Sequence, residues 1–439
     1  MPVPGPAGSP AASSASGASP ALRKDGQYLR YWVAGRISFA GSMITSVVLP
    51  VLMYRRTGSP FETSVLVAME IVPYLVFGIF AGAIADRMDR RRLMWGCELA
   101  SAGLAASIPA ASLAGALTTA QMMAVAAGIG TTFVWFDSAS FAVLPALVGR
   151  DRIVAARSSI SAADSISTMA GPAAGGILAA TIGPANAMIL DAASYVISAW
   201  LIATISRQLS AHGAGQATGR RHIRADIAEG LRYLWRQHQV RALTLIGSAS
   251  SIADGAVIGL LVVYANRQLG LPRTSALIGV LYAAGGLGAF TASAALPALA
   301  RRFPVPAITL AGIAARLGLL IGFALNRQVA AALVLYAALA GCSQLTVLNG
   351  ITYRQQVIPD QLQGRVNVVA RMTAVGGEPL GAVLGGALAT ALDVRAALLI
   401  ASLGLAAALV GAAAGPLRPG TWARFRPDPT LTDQDGPVR

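Results

Sequence analysis

Apolar residues run through this chain in blocks of about 20, the length at which a helix crosses a hydrocarbon layer roughly 30 Å thick. The blocks are separated by short breaks rich in polar residues, glycine or proline. Marking them predicts twelve helices. The first six cover 31–54, 63–85, 93–113, 119–144, 155–182 and 186–205. The second six cover 241–265, 274–300, 305–325, 328–350, 365–392 and 394–415. Two breaks, "TIGPAN" at 181–186 and "ALDVR" at 391–395, are tight enough for the count to hinge on them. The pattern is that of an all-α polytopic membrane protein, with residues 28–209 and 240–415 as two six-helix bundles.

The longest connection, 210–239, divides in two. Its first part is a flexible linker. In its second part Ile223, Ile227, Leu231 and Leu234 recur at helical spacing with Arg224, Arg232 and Arg236 on other faces, which predicts an amphipathic helix along the membrane surface. Residues 1–27 and 416–439 are rich in Pro, Gly, Ser and Ala or in polar residues, and read as disordered cytoplasmic tails; the first has no apolar segment suited to a cleavable signal.

Composition agrees with the pattern. The hydrophobic fraction is 55%, charged residues are 12%, and mean hydropathy is +0.61. The net charge of +15 does not point to nucleic acid, because the basic residues sit in the gaps between apolar blocks. Their sidedness orients the chain. Only Arg55, Arg56, Arg267, Arg273, Arg327 and Arg395 fall in the loops of one side, whereas nearly all others fall on the side of the two termini. The bias predicts cytoplasmic termini in a cell membrane. Cys97 and Cys342 lie inside predicted helices and read as small apolar residues, and the histidines His212, His222 and His238 all fall in the central connection. No phosphate-binding Gly-x-x-x-x-Gly-Lys stretch and no Cys/His cluster occurs. ATP coupling, a metal site, a cofactor and enzymatic chemistry are therefore not expected.

The two halves share a plan at one offset, 214 residues. Pro145 meets Pro359, Arg157 meets Arg371, Gly171 meets Gly385, Arg87 meets Arg301, and Asp164 meets the acid Glu378. Such a repeat predicts two bundles related by a pseudo-two-fold axis, with a transport site at the bilayer midplane between them.

The turn "GAIADRMDRRR" after the second helix concentrates charge in a chain otherwise short of it. It resembles the Gly-x-x-x-Asp-Arg-x-Gly-Arg-Arg signature of the major facilitator superfamily, with Gly82, Asp86, Arg87, Arg90 and Arg91 matching and Asp89 in place of a glycine. The variant is similar to that of the drug:proton antiporter branch with macrolide-efflux and enterobactin-exporter proteins. "GPANAMILDAASYVISA", "DIAEGLRYLWRQ" and "YRQQVIPDQLQGRVN" extend the resemblance over most of the chain. It implies a conformational switch in which Asp86 bonds to a neighbouring helix and releases it as the bundles rock; Arg90–Arg92 could equally serve only to set topology. "MAGPAAGGIL" in the fifth helix, with Gly171, Pro172, Gly175 and Gly176, resembles the Gly-Pro-x-x-Gly-Gly motif of proton-coupled exporters.

Ionisable groups at membrane depth cost roughly 2.5–3.5 kcal/mol each on insertion scales, so each needs a reason. Arg36, Glu70, Glu98, Asp137, Asp164, Asp191, Asp254, Arg316, Arg371 and Glu378 fall in or near the predicted spans. A carboxylate whose arginine partner changes as bundles tip can load and release a proton. Asp137 in "FVWFDSAS" is the first candidate, with Arg36 as its counter-ion, followed by Glu70, Asp254, Glu378 and Asp164. Asp191 reads as a structural hydrogen-bonding acid at the end of helix six, Trp32, Tyr54 and Tyr264 as interfacial anchors, and Phe39, Trp135 and Tyr282 as cavity-lining aromatics. The expected function is proton-coupled efflux of hydrophobic or amphiphilic small molecules by a monomer in a lipid bilayer. A dedicated exporter of one metabolite or siderophore, and a non-transporting scaffold or sensor, are the alternatives.

Overall fold

The computed structural model describes residue 22 and residues 24–85, 88–206, 231–358, 366, 370, 372–373, 375–415, 417–418 and 420–421. The helices in chain order are α1 Gly26–Thr57, α2 Pro60–Ala85, α3 Arg90–Leu113, α4 Thr119–Val148, α5 Ile153–Thr181, α6 Pro184–Ala203, α7 His238–Arg267, α8 Ala276–Arg302, α9 Val305–Leu325, α10 Val329–Val357, α11 Gly377–Ala391 and α12 Val394–Ala414. Nine of these are long and apolar enough to cross a membrane by length and composition. The other three are α3, which opens on three arginines, α5, rich in serine, alanine and glycine, and α11, described over 15 residues.

Both tight breaks are true helix ends. At the first, Gly183 takes φ 86° and Pro184 opens α6, where its missing N–H costs nothing. At the second, the Asp393 side chain caps α12 by accepting from the Ala396 N–H. Other ends lie outside the sequence expectation. α1 begins five residues early, because Asp25 accepts the N–H groups of Gln27 and Tyr28 and the Tyr28 and Tyr31 rings are buried. α10 runs on to Val357 because Tyr353 and Arg354 are buried against the second bundle.

Helix packing repeats the sequence duplication. In the first half α1 packs on α5 and α6, α3 on α4 and α6, and α2 on α4. In the second half α7 packs on α11 and α12, α9 on α10 and α12, and α8 on α10. Each pair maps onto its counterpart when α1–α6 are exchanged with α7–α12. The same exchange turns the α5–α8 contact between halves into the α11–α2 contact, so the two six-helix bundles are related by a pseudo-two-fold axis.

The halves meet through small residues. A Cβ on Gly176 of α5 would lie 2.6 Å from the Gly279 Cα of α8, and one on Gly386 of α11 would lie 2.6 Å from the Ser64 Cβ of α2. Only glycine allows backbones this close.

The core is asymmetric along the membrane normal. Toward the face carrying the α1–α2 and α7–α8 turns, one apolar cluster runs through both bundles, from Tyr54, Leu66 and Met122 to Leu260, Tyr264 and Phe323. Toward the opposite face the core splits among the described residues. One cluster, with Tyr28, Met94 and Leu147, belongs to the first bundle. Two others, around Ile313 and Tyr353 and around Val240 and Ile358, belong to the second. Among the described residues, five side-chain hydrogen bonds between the bundles lie at the first face. Tyr54 donates to Asn266, Arg267 donates to the Tyr54 hydroxyl and the Gly58 carbonyl, Arg273 donates to the Arg55 carbonyl, and Ser64 donates to the Gly259 carbonyl. All five join the bundles toward the α1–α2 face.

One sequence expectation changes here. Tyr54 and Tyr264 are not interfacial anchors: they are 1% and 0% exposed, and the Tyr264 hydroxyl donates to the Phe323 carbonyl at 2.8 Å. Of the amphipathic helix in the central connection, residues 231–236 are described and helical, with Leu234 packed beside Val240 and Ile358 and Leu231 exposed. Ile223 and Ile227 lie outside the described residues.

Candidate functional site

Helix α1 carries Ser38, Ser42 and Thr45 at spacings of four and three, which places them on one face, and Arg36 on another. The hydroxyl face meets α3 and α6. Ser38 donates to Glu98 Oε2 at 3.0 Å, Ser42 bonds the Tyr195 hydroxyl at 2.9 Å, and Thr45 donates to Asp191, which also accepts from Ser194. Glu98 and Asp191 are 3% and 0% exposed, and among the described residues neither has an ion-pair partner. Gly41 makes this approach possible, since a Cβ there would overlap Ser194 Oγ and Asp191 Oδ1.

Beside this ladder lies a cavity of about 160 Å³, with Arg36, Phe39, Glu98, Asp137, Asp164 and Tyr195 in its wall. Arg36 donates to Asp164 of α5 and to the Ile160 carbonyl. The ion pair is thus α1 to α5, and Asp137 of α4 shares the cavity without being the counter-ion expected for Arg36. The reason is packing: α1 lies along α5 and only brushes α4.

A second cavity of about 310 Å³ lies between α1, α2 and α4, with Glu70 in its wall. α2 and α4 meet closely there, because a Cβ on Gly130 would overlap the Glu70 carbonyl. Phe39 and Phe133 line both cavities. Trp135 instead stacks obliquely near Phe77, centroids 6.2 Å apart.

In the second bundle, Arg316 of α9 donates to Asp254 of α7 at 2.6 Å, and Ser343 of α10 donates to the other Asp254 oxygen at 2.7 Å. Glu378 sits one contact away, its carbonyl pressed against Gly255. The two bundles therefore each hold an intramembrane ion pair, on helix pairs that the pseudo-two-fold does not equate.

The glycine motif of α5 divides its work. Gly171 and Gly175 pack on Met43 and Ile44 of α1, whereas Gly176 and the Pro172 carbonyl meet Gly279 of α8. Of the charged turn, Asp86 and Arg87 lie outside the described residues. Arg90 donates to the Ala142 carbonyl and Arg91 to the Ile205 carbonyl, which tie α3 to the ends of α4 and α6 within the first bundle. A Cβ on Gly82 would meet open space. No group of three or more His, Cys, Asp or Glu residues able to hold a metal occurs among the described residues.

The sequence reading missed the Glu98–Asp191 cluster as a unit. The available signal was the hydroxyl stripe of Ser38, Ser42 and Thr45, spaced to face a polar neighbour inside an apolar span.

The sequence profile of the transmembrane secretion effector family matches residues 16–431. The chain is 26% identical over 389 residues to the multidrug efflux pump Tap of Mycolicibacterium fortuitum, covering 87% of this chain and 93% of that one. It is 25% identical to the enterobactin exporter EntS of Salmonella choleraesuis, covering 92% and 94%. A solved bacterial homologue of the human lysosomal transporter Spinster, inward-facing and unoccupied, superposes with TM-score 0.75 at 14% identity, covering 92% of this chain and 99% of that one. With its two equivalent bundles and its profile match, the chain belongs to the transmembrane secretion effector family of major facilitator superfamily transporters.

Proposed function

We propose that this protein is a secondary active exporter of hydrophobic or amphiphilic small molecules, driven by proton entry and working by alternating access. The observation that carries the reading is the core that, among the described residues, is continuous between bundles at one face and divided at the other. A rigid scaffold would gain by burying the interface along its whole length. A transporter needs an interface that can close at either end in turn.

The arginine-poor loops lie on the sealed face, so the sealed face is the outer one and the termini, residues 1–27 and 416–439, are cytoplasmic, as is the 210–239 connection. The chain sits in the cell membrane as a monomer of two bundles, 28–209 and 240–415. Proton coupling falls to the acids Asp137, Asp164, Glu70, Asp254 and Glu378. Arg36 is the cation whose partner changes, and its cavity holds both Asp164 and Asp137. Asp86 and Arg87, with Gly82, Arg90 and Arg91, act as the switch at the α2–α3 turn. The likeness to a multidrug efflux pump supports a broad amphiphile range, and the likeness to a siderophore exporter keeps a single dedicated product as the second reading.

Purified protein in vesicles with an imposed pH gradient tests this. An amphiphilic fluorescent dye is expected to move against the proton flow, and Asp137→Asn is expected to abolish that movement while the protein stays folded. Transport by Asp137→Asn with unchanged pH dependence would remove Asp137 from the coupling path. Absence of gradient-dependent flux for dyes and siderophores alike would favour the scaffold.

A further inference from the structure

Two guanidiniums of the second bundle grip one tyrosine of the first. Arg267 donates to the Tyr54 hydroxyl at 3.2 Å and to the Gly58 carbonyl at 3.2 Å. Arg273 donates to the Arg55 carbonyl at 3.4 Å, and its guanidinium carbon lies 5.1 Å from the centre of the Tyr54 ring. Arg55 and Arg56 follow Tyr54 in the last turn of α1. Four of the six arginines on the arginine-poor side therefore gather where the α1–α2 turn meets the α7–α8 turn. The pseudo-two-fold is visible here as well. Arg55 and Arg267 each come three residues before a left-handed glycine, Gly58 at φ 64° and Gly270 at φ 69°.

Neither topology nor the latch accounts for all four. The sidedness of basic residues disfavours arginine on this face. Arg267 and Arg273 tie the bundles together, but the Arg55 and Arg56 side chains are exposed and make no hydrogen bond, ion pair or ring contact among the described residues. No carboxylate among the described residues lies within ion-pair distance of any of the four, and Glu62 in the first turn of α2 pairs with none of them. Like charges gathered in this way repel, and closing the face brings those of one bundle toward those of the other. The complement that the cluster lacks is an anion. Guanidinium forks match the oxygens of phosphate groups and bond them in pairs. We propose that the sealed face carries a site for a phosphate-type oxyanion, assembled from Arg55 and Arg56 of one bundle and Arg267 and Arg273 of the other, and that the bound anion holds this face shut. The four come together only while the two turns meet. The anion therefore binds the sealed state more tightly and shifts the population toward it. The site is separate from both cavities and from the intramembrane acids. It rests on the exporter reading only for calling this face outer, in which case a free phosphate outside the cell, or the phosphate of an outer-leaflet lipid, slows the transport cycle.

The measurement is labelling of a cysteine placed in the gap of the sealed face, on the full-length protein in phosphatidylcholine nanodiscs. Pyrophosphate is the probe, titrated against sodium chloride of equal ionic strength. At ten times its half-saturating concentration, an anion confined to the sealed state is expected to slow labelling roughly tenfold. A second arm uses discs containing phosphatidylglycerol and no free phosphate. Slow labelling there, not deepened by pyrophosphate, would assign the site to a lipid headgroup; a response to pyrophosphate alone would assign it to a free anion. Labelling indifferent to both would overturn the proposal. The double variant Arg55→Gln with Arg56→Gln spares every bond of the latch. In it, half-saturation is expected at about tenfold higher pyrophosphate. An unchanged titration in that variant, with helix content retained, would also overturn the proposal. Because no gradient or flux enters the measurement, failure of the exporter reading would leave this result standing, and failure here would leave that reading intact.

Discussion

The Arg316 guanidinium of α9, 1% exposed, lies 2.6 Å from the Asp254 carboxylate of α7, and Ser343 of α10 closes the other side of that carboxylate. Three helices of the second bundle are thus joined at one buried ion pair. Breaking one partner of such a pair strands a charge, at a cost of about 3–5 kcal/mol. Asp254→Asn is expected to lower the thermal midpoint of the purified protein sharply. The double variant Asp254→Asn with Arg316→Met is expected to recover much of the loss. A double variant no more stable than Asp254→Asn would show that the arginine is held by other contacts.

The Arg36–Asp164 pair is a different object. Its side chains are 18% and 33% exposed and face a cavity. Partly solvated pairs contribute on the order of 0–1 kcal/mol. Asp164→Asn is therefore expected to leave the melting temperature nearly unchanged while impairing gradient-driven transport. Melting and flux assays on one preparation separate the two effects.

Closing of the sealed face depends on the Gly176–Gly279 approach. Leucine at position 279 would collide with the Pro172 carbonyl and the Gly176 backbone. Gly279→Leu is expected to open the α1–α2 face, read as a longer spin-label distance across it, with helix content retained. An unchanged distance would mean that α5 and α8 shift to accommodate the side chain.

The same face is latched by polar contacts that a single substitution can loosen. Arg267 donates to the Tyr54 hydroxyl and the Gly58 carbonyl, and Arg273 lies over the Tyr54 ring. Each net hydrogen bond is worth about 1 kcal/mol, or roughly a fivefold change in a two-state population. Arg267→Ala removes both of its bonds and is expected to raise labelling of a cysteine placed in the gap by roughly 25-fold. Labelling at the wild-type rate would assign the seal to the apolar core alone.

Gly41→Ala tests the α1–α6 contact. The added methyl would meet Ser194 and Asp191, and overpacking of this kind costs about 1–3 kcal/mol. A lower thermal midpoint is expected. The same change at Gly35, where a Cβ meets nothing within 4 Å, is expected to be silent in melting.

Spans and the site were not equally legible. Twelve helices were readable because hydrophobic length is local: even the tight breaks at 181–186 and 391–395 carry Gly-Pro and an Asp cap beside them. Arg36 and Asp164 were both visible as intramembrane charges, but Arg36 was assigned to Asp137. Choosing between the acids requires knowing whether α1 lies along α5 or α4. Arg316 was visible too, yet its partner is 62 residues away across a helix–helix contact. Asp191 was legible as a structural hydrogen-bonding acid, but its grouping with Glu98 was not, since nothing near either in sequence shows that α1 turns its hydroxyls onto both.

From sequence alone came the membrane, the number of crossings, the duplication and the family signature, because length, periodicity and repeat spacing are written along one dimension. Tertiary structure alone decided which charges meet, which glycines let the halves touch, and which face is sealed. Those depend on the rotation and crossing of packed helices, and neighbouring residues on a helix differ by about 100° in direction. A small change in how two helices lie together therefore reassigns every partner without altering a single apolar run.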